Sequence, residues 1–184
     1  TDNGKEFDAD GVQFVINPYD EFGLTKAMML KEKNGGKVTI ITVGDATVEP
    51  VIRKALAIGA DEAIRINISA KDSYSTATKL ANYLNDNPAD LIITGKESSD
   101  YNGGAVGGML AEMLDLPFIN ACNGLDISEN TAKITREIDG GKENISVNLP
   151  FVIGGQKGLV QESELRIPNM RGIMQARTKP LQVV

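Results

Sequence analysis

Hydrophobic and polar positions follow two rhythms along this chain, and the change falls near residue 122. In the first two thirds, short continuous runs of aliphatic and β-branched residues alternate with longer stretches whose apolar positions recur every three or four residues. The runs are KVTIITVG (37–44), EAIRINI (62–68), DLIITG (90–95) and PFINAC (117–122). Lacking polar alternation, they predict strands buried on both faces of a parallel sheet. The stretches between them carry helix punctuation. Asn17 and Pro18 followed by Asp20 and Glu21 predict a helix start: Asn caps, Pro loses nothing at the first position, and the acids complement the helix dipole. This helix runs to Gly35 and Gly36, with Phe22, Ala27 and Leu30 towards the core. Further helices are predicted over 47–58, closed by Gly59, over 75–85, stopped by Pro88, and over 104–114. The succession predicts an α/β fold with a doubly wound, mostly parallel sheet.

Beyond Cys122 the period becomes two. TAKITREI (131–138) and KENISVNL (142–149) flank the turn Asp139-Gly140-Gly141, which predicts an antiparallel hairpin. FVIGG follows as a short strand. The tail over 156–184 has no sustained period, contains Pro168, Asn169, Gly172 and Pro180, and predicts an extended arm with a short helix near 170–177. Such an arm has little core of its own and is expected to pack on a partner. The division is therefore an α/β nucleotide-binding domain over 1–155, including the hairpin at 131–149, and a partner-binding arm over 156–184.

Composition narrows the chemistry. The 184 residues include 19 Lys plus Arg, 25 Asp plus Glu, one Cys and no His or Trp, for a net charge of −6. Without histidine there is no Ser-His-Asp or Cys-His nucleophile pair and no imidazole base, and the usual zinc ligands are lacking. The acidic balance, with a pI near 4.8, argues against nucleic acid, whose binding rests on clustered Lys and Arg. The single Cys122 cannot form an internal disulfide, and no apolar run reaches the roughly 18 residues of a membrane span, so no membrane insertion is expected.

Loops at the carboxyl ends of parallel strands are where open α/β sheets bind ligands. Two stand out. In VGDATVEP (43–50), Gly44 lets a ligand approach the backbone. In TGKESSDYNGGAVGG (94–108), Gly103 and Gly104 open a helix whose free amides and dipole suit a phosphate. The loop is neither GxxxxGK[ST] nor GxGxxG, and its glycines are equally those of a turn capping a tightly packed helix. Tyr74 with Asp72, and the run Lys31-Glu32-Lys33, read as solvated surface. Cys122, the pair Met28 and Met29, and the pair Met109 and Met113 read as core filling. Asp20 and Glu21 fit helix-start electrostatics better than acid/base chemistry. No catalytic constellation is evident, and the chain does not read as an enzyme.

Five segments together resemble the electron transfer flavoprotein β-subunit family: NPYDEFGLTKAMMLKE (17–32), ALAIGADEAIRI (55–66), LIITGKESSDYNGGAVGGMLAEMLDLP (91–117), ITREIDGGKENISVNLPFVIG (134–154) and RIPNMRGIMQARTKPL (166–181). The fourth follows the family signature and departs only at Gly154, where a small Ala, Ser, Thr or Cys is usual. The resemblance implies a fold of the adenine nucleotide α-hydrolase or universal-stress type with sheet order 3-2-1-4-5. It also implies a buried first strand before Thr1 and an arm continuing past Val184, so that the residues given would leave two ladder edges where the central strand belongs. The implied function is electron transfer, with fatty acid or amino acid oxidation as its setting. An α subunit holds the redox-active FAD, and the heterodimer carries electrons from flavin dehydrogenases to an acceptor oxidoreductase. The β subunit itself holds AMP, or a second FAD in bifurcating members, and the compartment implied is the bacterial cytoplasm or the mitochondrial matrix.

Matched residue by residue, Asn17 falls on the family's nucleotide-contacting Asn and Tyr19 on the aromatic that approaches the α-subunit flavin. Gly44 and the loop of Asp100, Asn102, Gly103, Gly104, Ala105 and Val106 fall on the AMP or FAD cradle. Ile167 falls on the leucine that docks into partner dehydrogenases. The cradle departs from the pattern, since Gly104, Ala105 and Val106 stand where Asn, Gln and Thr are usual. Asp100 or Asn102 is expected to supply contacts those side chains made. Two other classes share parts of this reading. A universal-stress-type nucleotide module has the same sheet but does not account for the hairpin and arm, and a nucleotide hydrolase lacks its metal ligands and base.

Overall fold

In a computed structural model, which describes residues 10–69 and 71–184, the strands form two sheets rather than one. The first half of the chain builds α1 (Pro18–Asn34), β1 (Thr39–Val43), α2 (Glu49–Ile58), β2 (Glu62–Ile66), α3 (Ser73–Asp86), β3 (Leu91–Gly95) and α4 (Val106–Met113). The second builds β4 (Phe118–Ser128), β5 (Thr131–Ile138), β6 (Gly141–Asn148), β7 (Phe151–Gly155), α5 (Met170–Ala176) and β8 (Leu181–Val183). One sheet runs β1-β2-β8, all parallel; the other runs β3-β7-β4-β5-β6, parallel as far as β4 and antiparallel through the hairpin.

Helices join the two sheets into one layered body. Leu24 and Met28 of α1 pack with Ile40 of β1, while Phe22 and Met29 of the same helix pack with Ile93 of β3. On the other face, Ala77, Leu80 and Ala81 of α3 share a cluster with Ile41 of β1 and Ile92 of β3. Adjacent strand residues point to opposite faces, so α1 and α3 cover the two sides of the same junction. Between β1 and β3 no strand lies among the described residues, and each of these strands is hydrogen-bonded on one side only. Both are half-buried rather than buried, in contrast to β7, every residue of which is buried.

Besides the split into two sheets and the addition of β8 beside β2, the order differs from the expected 3-2-1-4-5 at β7. β2, β1 and β3 take the places expected of them, but β7 lies between β3 and β4, pairing Leu91 with Phe151 on one side and Phe118 with Val152 on the other. FVIGG can occupy that place because it is apolar on both faces and ends in two glycines. A Cβ on Gly155 would come within 2.9 Å of the Leu159 side chain. β4 also outruns its predicted end at residue 122. It continues to Ser128, with an irregular register around Cys122 and a left-handed Ala121 (φ +56°), so one strand serves both the parallel sheet and the hairpin. On α1 the buried side chains are Phe22, Leu24, Thr25 and Met28; Ala27 and Leu30 are only half-buried.

The tail, expected as a partner-binding arm, also packs on its own chain. β8 adds to the edge of β2, and α5 lies against α2. Gly172 permits that approach, since a Cβ there would overlap the Ala57 carbonyl oxygen. Asn169 caps α5 by accepting from the Gly172 N–H at 2.8 Å.

Candidate functional site

The loop after β3 is tied to the start of α1 through the side chains of Asn17 and Asp20. Asn17 Nδ2 donates to Asp20 Oδ2 at 2.8 Å and to the Glu97 carbonyl at 2.9 Å, and Asn17 Oδ1 accepts from the Ser99 N–H at 3.2 Å. Asp20 Oδ1 accepts from the Gly95 N–H at 2.7 Å. Only glycine fits at 95, because a Cβ would sit 2.8 Å from Asn17 Nδ2 and 3.0 Å from the Tyr19 Cβ. Burial pushes the Asp20 carboxyl above its ordinary value, against the opposing effects of the Asn17 and Gly95 hydrogen bonds.

Beyond Ser99 the loop closes on itself. The Ser98 N–H donates to the Gly103 carbonyl at 3.0 Å, Asp100 Oδ1 accepts from the Tyr101 N–H at 2.8 Å, and Asn102 takes a left-handed conformation at φ +50°. Gly104 lies close under the loop: a Cβ there would stand 3.2 Å from the Lys96 carbonyl oxygen. α4 starts at Val106 with Ala105 as its cap residue and no side-chain hydrogen bond to its first amides. Those amides remain available to a ligand. Gly107 holds the helix close to the sheet, where a Cβ would come within 2.7 Å of Thr94 Oγ1 and 3.0 Å of the Phe118 ring. Gly107 thus serves packing and Gly104 the loop turn.

The expected site residues are distributed as follows. Asn17 and Tyr19 meet the loop, Tyr19 with Lys96 Nζ 5.7 Å from its ring centroid. Asp100, Asn102, Gly103, Gly104, Ala105 and Val106 form the loop and helix start themselves. Gly44 lies on the other sheet, at the carboxyl end of β1, where its N–H donates to the Ile66 carbonyl at 3.0 Å and its carbonyl accepts from Arg65 Nη1 at 3.1 Å. Arg65 is only 7% exposed, also donates to Asn67 Oδ1 at 2.8 Å, and has no carboxylate partner among the described residues. Ile167 stands away from the loop in the segment before α5 and is 84% exposed, near the exposed Met170 and Met174. The segment is anchored by Arg166, whose N–H donates to Thr25 Oγ1 at 3.3 Å and whose guanidinium bonds Glu32 at 2.6 Å.

Three residues at or beside this site were not legible in the sequence as parts of it. Asp20 reads as a helix-start acid and does stand in the first turn of α1 with Glu21, but its carboxylate also reaches the Gly95 N–H, while Glu21 pairs with Lys54 at 3.0 Å. Arg65 reads as one polar residue in a strand. Asn120 reads as the edge of a strand, but its Oδ1 is buried, has no hydrogen-bond partner among the described residues and lies where a Cβ of residue 154 would be. That overlap explains why glycine stands at 154. Cys122 is fully buried, with its thiol pushed up to about 11 by desolvation, which makes it an inert core residue.

A family model described as the electron transfer flavoprotein domain matches residues 6–184. Over 177 residues the chain is 41% identical to the electron transfer flavoprotein subunit beta of Bacillus subtilis, spanning 94% of this chain and 68% of that protein. The chain belongs to the electron transfer flavoprotein β-subunit family. Its identity to the subunit beta of Syntrophomonas wolfei is 37% over 181 residues, spanning 97% of this chain and 70% of that protein. To Protein FixA of Azotobacter vinelandii it is 32% over 183 residues, spanning 94% and 64%. As a β-subunit family member, the chain has its role in electron transfer.

Proposed function

We propose that this chain is the β-type half of a two-subunit electron carrier. It pairs with an α-type subunit holding FAD, accepts electrons from flavin dehydrogenases through that partner, and delivers them to an acceptor oxidoreductase. The loop after β3 holds an adenine nucleotide, AMP or a second FAD. The observation that carries this reading is the set of three hydrogen bonds from the linked side chains of Asn17 and Asp20 to the Gly95–Ser99 backbone, which holds the loop in one shape beside uncapped helix amides.

The residues present fit a phosphate-bearing group through backbone rather than side chains. The first amides of α4 have no side-chain cap, and glycines precede them at 103 and 104. A bound FAD supplies the one-electron and two-electron steps. The chain binds and orients: Asn17 and Asp20 hold the loop, and Tyr19, steadied by Lys96, presents an aromatic edge to the side where the partner's flavin is expected. Asp100 and Asn102 are the polar side chains available for ribose or phosphate contacts. Ile167, with Met170 and Met174, forms an apolar projection suited to a pocket on a dehydrogenase.

Co-expression with an α-type subunit tests this reading. A one-to-one yellow complex with flavin absorbance is expected, whereas a colourless homodimer that binds ATP would replace it with the universal-stress-type module.

A further inference from the structure

We infer that Asp20 is a positioning residue of the nucleotide loop, whose carboxylate fixes both the Gly95 amide and the orientation of the Asn17 side chain; this rests on the nucleotide reading above. An asparagine amide has two nearly isosteric orientations, and its neighbours select between them. Asp20 Oδ2, as an ionised carboxylate, can only accept, so the Asn17 group facing it at 2.8 Å must be Nδ2. With that choice made, Nδ2 has its second hydrogen for the Glu97 carbonyl, and Oδ1 is left facing the Ser99 N–H. The other carboxylate oxygen takes the Gly95 N–H at the point where β3 ends. One half-buried side chain thereby sets the backbone at 95, 97 and 99.

Helix-start electrostatics does not account for this arrangement. Glu21 supplies a first-turn acid while reaching Lys54, and Asp20 has no cation at salt-bridge distance among the described residues. The nearest loop cation, Lys96, lies over Tyr19 and 3.8 Å from the Glu97 carboxylate. A desolvated carboxylate without a counter-charge is costly, and its two N–H partners both belong to the connection between α1 and the loop.

The test uses the full chain in its heterodimer, with AMP and FAD as separate probes. Asp20→Asn presents an NH2 to Asn17 Nδ2 or to the Gly95 N–H, whichever way it turns. It is expected to weaken retention of the bound nucleotide at least tenfold and to speed amide exchange at Gly95 and Ser99. The nucleotide-free complex should melt near the wild-type temperature. Glu21→Gln removes the same charge from the same helix turn and is expected to change neither nucleotide retention nor exchange at those amides. Asp20→Glu keeps the charge but displaces the carboxyl, and serves if Asp20→Asn does not assemble; it too should lose retention. Wild-type retention in the Asp20 variants, or equal loss in Glu21→Gln, would overturn the inference. If the wild-type heterodimer holds neither AMP nor a second FAD beside the partner's own, the nucleotide reading fails instead, and exchange at Gly95 and Ser99 still decides whether Asp20 holds the loop.

Discussion

Arg53 and Lys179 cap each other's helices. Arg53 on α2 donates from Nη1 to the carbonyls of Ala176 and Lys179 at 2.8 and 3.1 Å, at the end of α5. Lys179, just beyond α5, donates from Nζ to the carbonyls of Leu56 and Ala60 at 2.9 and 2.6 Å, at the end of α2. Carbonyls at helix C-termini lack intrahelical partners and favour a cation, so each side chain satisfies the other helix. Lys179→Ala should cost about 1–2 kcal/mol, the scale of charged hydrogen bonds at a partly solvated site. Protease should then cut the tail over 170–184 before the α/β body. Unchanged protection of the tail would show that β8 pairing alone retains it.

Asn120 and Gly154 form a steric pair. Gly154→Ala forces its Cβ onto Asn120 Oδ1 and should destabilise by about 1–3 kcal/mol, as overpacking does. Asn120→Ala in the same chain should recover most of the loss, which a double-mutant cycle reads as coupling. Asn120→Ala alone also removes a buried acceptor that has no donor among the described residues, so it should be nearly neutral or stabilising. Additive losses in the double variant would contradict the pairing.

Acidification separates Asp20 from the other acids. Its folded pKa is raised by burial, so between the unfolded value and that raised value the folded state binds the proton more tightly. Its contribution to stability is present below the unfolded pKa and lost as pH rises through the folded one. Asp45, Asp61, Glu62 and Asp126 are shifted downward, and their contributions are lost as pH falls. Those terms are common to wild type and Asp20→Asn. Denaturant melts of both from pH 7 to 4 should therefore show wild type gaining relative to the variant as pH falls; a flat difference would refute the raised pKa.

Ile167 should matter for docking and little for folding. With 84% of it exposed, Ile167→Ala should change stability by less than about 0.5 kcal/mol. Reduction of the heterodimer by its dehydrogenase should slow at least tenfold at subsaturating carrier, since aliphatic anchors concentrate binding energy. Stopped-flow flavin reduction checks this.

Local patterns were legible where they were decided locally. The hairpin was readable because period-two strands met across Asp139-Gly140, and β5 covers 131–138 as predicted. Pro18 marked the start of α1, but Asn17, expected to cap the helix, makes no side-chain cap hydrogen bond there because its amide is taken up by Glu97 and Ser99 of the loop. β7's place between β3 and β4 was not readable, because a buried strand carries no mark of its neighbours. β8, at three residues, is too short to show a period, and its pairing is supplied by the free edge of β2. In the site, Gly103 and Gly104 announced a loop, but Asn17 meets Glu97 across 80 positions, and Asp20 meets Gly95 across 75. No spacing rule reaches that far. Gly154 was visible as a departure from the family pattern, while its cause lies in the side chain of Asn120 on a different strand.

The central claim, that this chain holds an adenine nucleotide in an electron-carrying heterodimer, is tested most directly by denaturing the purified complex and separating the released nucleotides. The account predicts one FAD from the α-type partner together with either one AMP or a second FAD per heterodimer. A complex that releases a single FAD and no other nucleotide would contradict it.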